Sequence, residues 1–177
     1  MIINSTISLP GDKSISHRSV MLASIANGIS HISNLNDGED LQSTIKAMKS
    51  CGALIKKNND SIVVTGSTLS NPIKPIDCGN SGTTSRLLAG FLSSQHLSFS
   101  LIGDDSLSKR PMNRVIKPLK EMGCIIKSNN GLLPLHIDAS NSFNGIDYKM
   151  PIASAQVKSA ILLAGLGAKN LSVVKEL

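Results

Sequence analysis

Three stretches of the chain combine small residues with side chains that donate hydrogen bonds, each just ahead of an apolar segment. They begin at Gly11, Cys78 and Ile152, and read GDKSISHR, CGNSGTT and IASAQ. The apolar periodicity that follows each stretch predicts a helix. The start of a helix offers unpaired backbone N–H groups and the positive end of the helix dipole, so it suits a phosphate or a carboxylate. The three stretches therefore predict a site for an anionic ligand.

Each stretch by itself also has an ordinary structural interpretation. Ser14, Ser81 and Ser154 are candidate helix N-caps, the commonest role for serine at such a place, and lysines and arginines are mostly solvated surface charges. The three stretches nevertheless recur in register. When the Leu-Ala pairs near the ends of the apolar segments are aligned, Ser14, Asn80 and Ala155 fall at equivalent places. This recurrence favours a binding site over three unrelated caps.

Charged side chains must contribute most of the affinity for such a ligand. One helix end stabilises an anion by about 0.3–1 kcal/mol, whereas micromolar affinity corresponds to about 8 kcal/mol. Charge-assisted hydrogen bonds, at about 1.5–3 kcal/mol each, can supply the difference, and the obvious donors are Lys13, Arg18, Lys109 and Arg110. The chain has no GxxxxGK[ST] phosphate loop and no metal-ligand spacing among its histidines, so neither a nucleotide loop nor a metal site is predicted.

Composition narrows the choice of ligand. The 177 residues are 41% hydrophobic and 17% charged, which predicts a folded protein, and the net charge of +6 favours an anionic partner. Aromatic residues make up 2% of the chain, too few for a platform that stacks nucleic-acid bases. There is no apolar run of membrane-spanning length, no signal-peptide pattern and no CxxC spacing among the three cysteines. The sequence therefore predicts a cytoplasmic protein without a nucleic-acid or membrane partner.

The elements that would position the candidate residues recur along the chain. Residues 45–59, shifted by 71 positions, are identical to residues 116–130 at eight places, and each copy predicts an amphipathic helix, a glycine and a short strand. An alternating, strand-like segment follows each apolar helix, at 29–35, 97–102 and 171–174. The last apolar helix, at about residues 153–168, is apolar on nearly every side, and we expect it to be buried.

The repeat unit is thus a helix, a strand, an amphipathic helix and two strands, about 70 residues in all. Two units are complete, whereas the third is truncated before its amphipathic helix. Repeats that bury their cores against their neighbours should not end halfway. We therefore expect an α/β (α+β) fold, with this chain as part of a longer polypeptide.

Four blocks of the sequence resemble the EPSP synthase (enolpyruvylshikimate-phosphate synthase) family. They are LPGDKSISHR from Leu9, GNSGTT from Gly79, the stretch from Gly103 to Met112, and PIASAQVKSA from Pro151. The resemblance implies a transferase, 3-phosphoshikimate 1-carboxyvinyltransferase, which moves the enolpyruvyl group of phosphoenolpyruvate to the 5-hydroxyl of shikimate 3-phosphate and releases phosphate. It also implies the shikimate pathway to chorismate and aromatic amino acids, no cofactor, and sensitivity to glyphosate.

The resemblance further implies a fold of two similar domains, each built from βαβαββ-type repeats in an inverse α/β barrel-like arrangement. Residues 1–9 would be a first strand that belongs with the second domain, and residues 10–177 would be an N-terminal domain that is incomplete at its C-terminal end. The second domain, the main partner of this chain, would supply the proton-transfer residue. The complete protein would be a monomer, and turnover by the isolated chain is not expected.

Motif by motif, the resemblance assigns substrate contacts but no catalytic residue and no metal ligand. The residues implied for shikimate 3-phosphate are Lys13, Ser14, Arg18, Ser154 and Gln156. Those implied for phosphoenolpyruvate are Lys13, Gly82, Arg110 and Gln156, with Asn80, Ser81 and Thr83 in support. Asp12 is interpreted as a helix cap rather than a proton-transfer group.

Three alternatives remain open at this point. A UDP-sugar enolpyruvyl transferase shares the fold and the phosphoenolpyruvate chemistry, but it typically has a catalytic cysteine in the loop that corresponds to residues 103–110, which contain none. A basic module that binds nucleic acid would show a steep salt dependence. A half that binds anionic ligands without catalysis is the third alternative.

Overall fold

A computed structural model describes residues 9–58, 61–139 and 141–176. The elements of the first segment are α1 (Lys13–Ile25), β1 (Ile29–Ser33), α2 (Glu39–Ser50), β2 (Leu54–Asn58) and β3 (Ser61–Thr65). The order is a helix, a strand, a helix and two strands. The first strand ends two residues before the predicted limit, at Ser33. The strand predicted for residues 1–9 lies outside the described residues except for Leu9, which is exposed and outside any strand.

The second segment has the same order of elements, with one short strand and one short helix added. Its elements are β4 (Ile76–Asp77), α3 (Gly82–Ser94), β5 (Ser98–Ile102), α4 (Asp105–Ser108), α5 (Asn113–Glu121), β6 (Ile125–Asn129) and β7 (Leu132–Asp138). The added strand β4 stands directly before the second of the three glycine- and serine-containing stretches. Along the chain, the short helix α4 stands between β5 and the candidate cations Lys109 and Arg110.

The third segment is shorter. It contains β8 (Asp147–Lys149), α6 (Ala155–Ala164), a single 3-10 turn (Gly165–Gly167) and β9 (Val173–Lys175). The α6 helix begins two residues later and ends four residues earlier than predicted. The expectation that the predicted segment is buried holds for Val157, Ala160, Ile161, Leu163 and Ala164. It is wrong for Leu162 and for Leu166 in the following turn, which are half exposed. An apolar composition shows which residues favour burial, but not whether a neighbour covers them.

The strands form three separate sheets. Their orders are β1-β3-β2, β4-β5-β7-β6 and β8-β9, with β4–β5 and β8–β9 parallel and the remaining pairs antiparallel. Side chains along β3 and β7 alternate between buried and less buried positions, which is the pattern of a sheet that packs one face on a core. In the part of the chain that the structure describes, no helix has the length and hydrophobicity of a membrane span.

Helix α3 lies at the centre of the helical layer. It packs against α1, α2, α5 and α6, and every one of its residues except Arg86 is buried. The approach to α6 is close, because a Cβ atom on Gly90 would lie 2.0 Å from the backbone oxygen of Ala160. This packing brings the starts of α3 and α6 together.

Candidate functional site

The start of α1 carries the first group of candidate residues. Asp12 is the N-cap, and its carboxylate accepts a hydrogen bond of 2.7 Å from the backbone N–H of Ile15. This confirms the interpretation of Asp12 as a cap, and it means that Ser14, the second residue of the helix, is not one. The Lys13 ammonium forms an ion pair with Asp40, from the first turn of α2.

Serine caps the other two helix starts. Ser81 Oγ accepts a hydrogen bond of 3.0 Å from the N–H of Thr84 at the start of α3. Ser154 Oγ accepts a longer bond, of 3.4 Å, from the N–H of Val157 at the start of α6. The cap interpretation of these two serines is confirmed. Their hydroxyl lone pairs satisfy backbone N–H groups that a helix start otherwise leaves unpaired.

The register predicted from the Leu-Ala pairs is wrong. Ser14 is the second residue of α1, Asn80 precedes the cap of α3, and Ala155 is the first residue of α6. The positions that are equivalent in the structure are the three caps, of which Asp12 is one. The Leu-Ala pairs lie at different distances from the helix starts, so they do not fix where each helix begins.

An amide side chain holds the guanidinium of Arg110. Arg110 Nη2 donates to Asn80 Oδ1 at 2.7 Å and to Ser106 Oγ at 3.3 Å. The Asn80 amide donates in turn to Asp104 Oδ2 at 2.8 Å. Hydrogen bonds from the backbone of Leu107 and from Asn80 hold the pKa of Asp104 below its usual value. The Asp104 carboxylate is thus connected to Arg110 through Asn80, and the direct hydrogen-bond partners of Arg110 are neutral.

Arg86 is a site residue that the sequence reasoning missed. Its Nη1 donates to Gly82 O and to Gln156 Oε1, both at 3.1 Å, and its Nη2 donates to Pro111 O at 3.2 Å. The Gln156 amide in turn donates to Thr83 Oγ1 at 3.0 Å. Arg86 therefore links the starts of α3 and α6 to the segment before α5. The available signal was its place one helical turn after Gly82, in an otherwise uncharged helix.

Two guanidinium groups lie over Gly82, the first residue of α3. A Cβ atom at this position would be 2.5 Å from Arg86 Nη1 and 3.4 Å from Arg110 Nη1. Burial, and then the charges of Arg110 and Arg114, lower the pKa of Arg86. Among the ion pairs of the described residues, none includes an arginine. Positive charge without a directly paired carboxylate is therefore concentrated at a helix start, where an anion is most favoured.

The remaining candidates lie on the α1 side. Ser14 is exposed and Arg18 half-buried, and neither side chain makes a hydrogen bond or ion pair with any residue that the structure describes. Their donors are available to a ligand. The structure thus gathers Asn80, Gly82, Thr83, Arg110 and Gln156 around the start of α3, as two hydrogen-bonded sets that meet over Gly82. Lys13, Ser14 and Arg18 form a second group at the start of α1.

No metal-binding cluster accompanies these two groups. Within residues 9–58, 61–139 and 141–176, no three histidine, cysteine, aspartate or glutamate side chains come together as metal ligands. The three cysteines are buried, and burial raises the pKa of Cys78 to about 12 and that of Cys51 to about 11. These thiols stay protonated at neutral pH and are poor nucleophiles.

Comparison with known proteins gives a consistent result. The family model of EPSP synthase (3-phosphoshikimate 1-carboxyvinyltransferase) matches residues 2–177. The 3-phosphoshikimate 1-carboxyvinyltransferases of Ruthia magnifica and Oceanobacillus iheyensis are 51% and 49% identical to this chain, over 99% and 98% of it and over 41% and 42% of their own lengths. A solved EPSP synthase from Acinetobacter baumannii superposes with a TM-score of 0.91 at 43% identity, covering 96% of this chain and 40% of the other. The chain thus spans about 40% of the length of these relatives.

Proposed function

The chain belongs to the EPSP synthase family, and we propose on this premise that it anchors the two anionic substrates of an enolpyruvyl transfer. The reaction moves the enolpyruvyl group of phosphoenolpyruvate to the 5-hydroxyl of shikimate 3-phosphate and releases phosphate. The observation that carries the proposal is the pair of guanidinium groups over Gly82, at the buried start of α3. Guanidinium forks match phosphate and carboxylate oxygens.

Phosphoenolpyruvate would bind at the start of α3. Arg110 and Arg86 would face its phosphate and carboxylate, and the absence of a side chain at Gly82 would let it approach the backbone. Since the direct hydrogen-bond partners of Arg110 are an amide and a hydroxyl, its charge is available to the substrate. Donors that are already oriented lose little freedom when the ligand binds.

Shikimate 3-phosphate would bind between the starts of α1 and α6. Lys13, Ser14 and Arg18 would meet its phosphate from one side, and Ser154 and Gln156 from the other. Gln156 is hydrogen-bonded to Arg86, so the two substrate sites share a contact. That shared contact supports the placement of the substrates side by side, as a transfer between them requires.

The chain's own contribution to the chemistry is positioning and charge. Addition of the hydroxyl to the enol carbon and loss of phosphate require a proton donor and acceptor near that carbon. The described candidates do not serve: Asp12 is a helix cap and the described cysteines are buried thiols. The proton-transfer group would come from a second domain that closes over the site. If this chain alone released phosphate at an enzyme-like rate when both substrates are present, the assignment of proton transfer to a second domain would be wrong.

The same proposal covers domain organisation, assembly and location. Residues 10–177 would belong to the N-terminal domain, with the other domain as the main partner, and the complete protein would be a cytoplasmic monomer. Three buried cysteines without a disulfide among them are consistent with a reducing compartment. The UDP-sugar enolpyruvyl transferase is less well supported, because the described cysteines are not reactive.

Calorimetric titration of the chain with shikimate 3-phosphate tests the proposal, with shikimate as the control ligand. We expect binding that depends on the phosphate and that Lys13→Ala and Arg18→Ala each weaken severalfold or more. Lys117→Ala, which removes an exposed charge on α5, should leave the affinity unchanged. A folded chain that binds both ligands equally, or neither of them, would overturn the anchoring role.

A further inference from the structure

His17 lies fully buried at the junction of three helices. Its Nδ1 is 2.7 Å from Thr44 Oγ1 of α2, which is 2.9 Å from Thr84 Oγ1 of α3. The Thr84 hydroxyl also contacts the backbone oxygen of Asp40 at 3.0 Å and Ser81 Oγ at 2.8 Å. A continuous chain of hydrogen bonds therefore runs from α1 through α2 to the cap of α3.

The two contacts between α1 and α2 are in register. Lys13 and His17 are one turn apart on α1, and their partners, Asp40 and Thr44, are one turn apart on α2. Side chains four residues apart lie on the same helix face. The charged contact is partly exposed and the neutral contact is buried. Together the two contacts fix the orientation of α1 relative to α2.

The position of the imidazole proton follows from hydrogen-bond accounting. His17 Nε2 is buried without a partner among the described residues. A buried N–H without an acceptor is rarer than an unpaired acceptor, so the proton belongs on Nδ1, which donates to Thr44. Thr44 then donates to Thr84, and Thr84 donates to the Asp40 carbonyl. Every hydroxyl in this path both donates and accepts. The imidazole is neutral, because a second proton on Nε2 would be buried without an acceptor.

From this geometry we infer that His17 is a positioning residue for substrate binding. It sets the separation of the α1 and α3 starts and holds the first turn of α2, whose Asp40 carboxylate pairs with the Lys13 ammonium. It touches neither substrate and acts through Thr44 and Thr84. The inference rests on the proposed function, because the residues that it positions are the proposed contacts of shikimate 3-phosphate and phosphoenolpyruvate.

Titration of the full chain with shikimate 3-phosphate tests this role in four variants. His17→Leu removes the donor to Thr44, and we expect the dissociation constant to rise about tenfold. His17→Asn can keep a donor near the Nδ1 position, and we expect affinity within about twofold of the unchanged chain. Thr44→Val should weaken binding as much as His17→Leu. The double variant His17→Leu/Thr44→Val should bind no more weakly than either single variant, because both substitutions break the same path.

The control is Ser93→Ala, at the far end of α3. This buried hydroxyl bonds the Ala89 carbonyl and Cys124, so its loss destabilises the same helix without touching the path. We expect a lower free energy of unfolding with an unchanged dissociation constant. If Ser93→Ala weakens binding as much as His17→Leu at equal loss of stability, the role is structural and the inference is wrong.

The failure of the inference and that of the proposed function are distinguishable. If the unchanged chain does not bind shikimate 3-phosphate, the proposed function fails. If it binds and both His17→Leu and Thr44→Val bind equally well, only the positioning role fails. Should His17→Leu not fold, Thr44→Val decides alone. The imidazole ¹⁵N shifts give an independent check, since a proton on Nε2 in the folded chain would contradict the path.

Discussion

The start of α3 and the start of α1 present positive charge in different ways. At α3, the hydrogen-bond acceptors of Arg86 and Arg110 are carbonyl, amide and hydroxyl oxygens, so the guanidinium groups are oriented but their charges are not neutralised. At α1, Lys13 is paired with a carboxylate, whereas Ser14 and Arg18 have no described partner. One side of the proposed site is organised before a ligand binds, and the other must be ordered by the ligand.

This difference has an energetic meaning. An exposed ion pair such as Lys13–Asp40 contributes about 0–1 kcal/mol, so a ligand can displace it at small cost. Ordering a free arginine costs about 0.5–1.5 kcal/mol, and this cost falls on the α1 side. We therefore expect substitutions at α3 to weaken mainly phosphoenolpyruvate binding, and those at α1 to weaken mainly shikimate 3-phosphate binding. The loss of affinity should be larger at α3.

The largest expected effect concerns the hydrogen-bonded path that joins the two sides. Burial, opposed by the charge of Asp40 and aided by those of Lys13 and Arg18, lowers the pKa of His17 to about 4. Between pH 4 and the unfolded value near 6.5, the unfolded chain binds more protons than the folded chain. The free energy of unfolding should therefore rise with pH across this window, by about 3 kcal/mol, and be level above it.

Urea unfolding at several pH values between 4.5 and 8, as test conditions, measures this effect. Asp104 contributes little in this range, because its carboxyl has an ordinary pKa of 3.8 and the pKa is lower still in the folded chain. In His17→Asn the dependence within the window should be much reduced. An equal slope in both proteins would show that other groups cause it, and that the two sides are not joined through a neutral imidazole.

The next largest effect is expected for Arg110→Ala. Loss of a charged, already oriented donor should weaken phosphoenolpyruvate binding about 30-fold, equivalent to about 2 kcal/mol. Titrations with phosphoenolpyruvate, with and without shikimate 3-phosphate, measure it against the control Lys117→Ala. An equal loss of shikimate 3-phosphate affinity would show that the starts of α3 and α1 do not bind the two substrates separately.

Gly82→Ala should have a smaller effect on the same side. The new methyl group would meet Arg86 Nη1 at 2.5 Å, so the guanidinium must move and its bond to Gln156 is strained. We expect phosphoenolpyruvate affinity to fall about tenfold, with shikimate 3-phosphate affinity within about twofold. Thr83→Ala, which removes a hydroxyl bonded to Gln156, separates loss of the network from steric blocking, since it leaves space at Gly82.

The smallest effect is expected at α1. Ser14→Ala removes an exposed hydroxyl without a described partner, and a neutral hydrogen bond contributes about 0.5–1.5 kcal/mol, so shikimate 3-phosphate affinity should fall about fivefold. Stability should not change, in contrast to Ser81→Ala, which removes the α3 cap. A loss above that for Arg110→Ala would reverse the order of the two sides.

Local chemistry made much of this site predictable. Asp12, Ser81 and Ser154 are polar residues of the type that caps helices, and each does so. What failed was the exact start of α1, because Asp12 and Ser14 are both good caps and only the backbone decides between them. The Leu-Ala register failed since Leu22, Leu88 and Leu163 lie nine, six and eight residues after their helix starts.

The role of Arg86 could not be predicted from the sequence for a different reason. Its acceptors, Gln156 Oε1 and Pro111 O, are 70 and 25 residues away along the chain, so they become neighbours only when α3 packs against α5 and α6. The same holds for the path from His17, whose partners belong to other helices. Sequence patterns located the helix starts approximately, but the contacts between them depend on tertiary packing.

The burial of α3 has a consequence for how ligands would be detected. Every residue of this helix is buried except Arg86, which is half-buried, and amides in such a core exchange with solvent mainly through global unfolding. An anion bound at its first turn therefore stabilises the slowest-exchanging part of the chain. Binding should slow deuterium uptake along α3 far beyond the residues that touch the ligand, and should raise the melting temperature as ligand concentration increases. A chain without tryptophan thus still reports occupancy of its site.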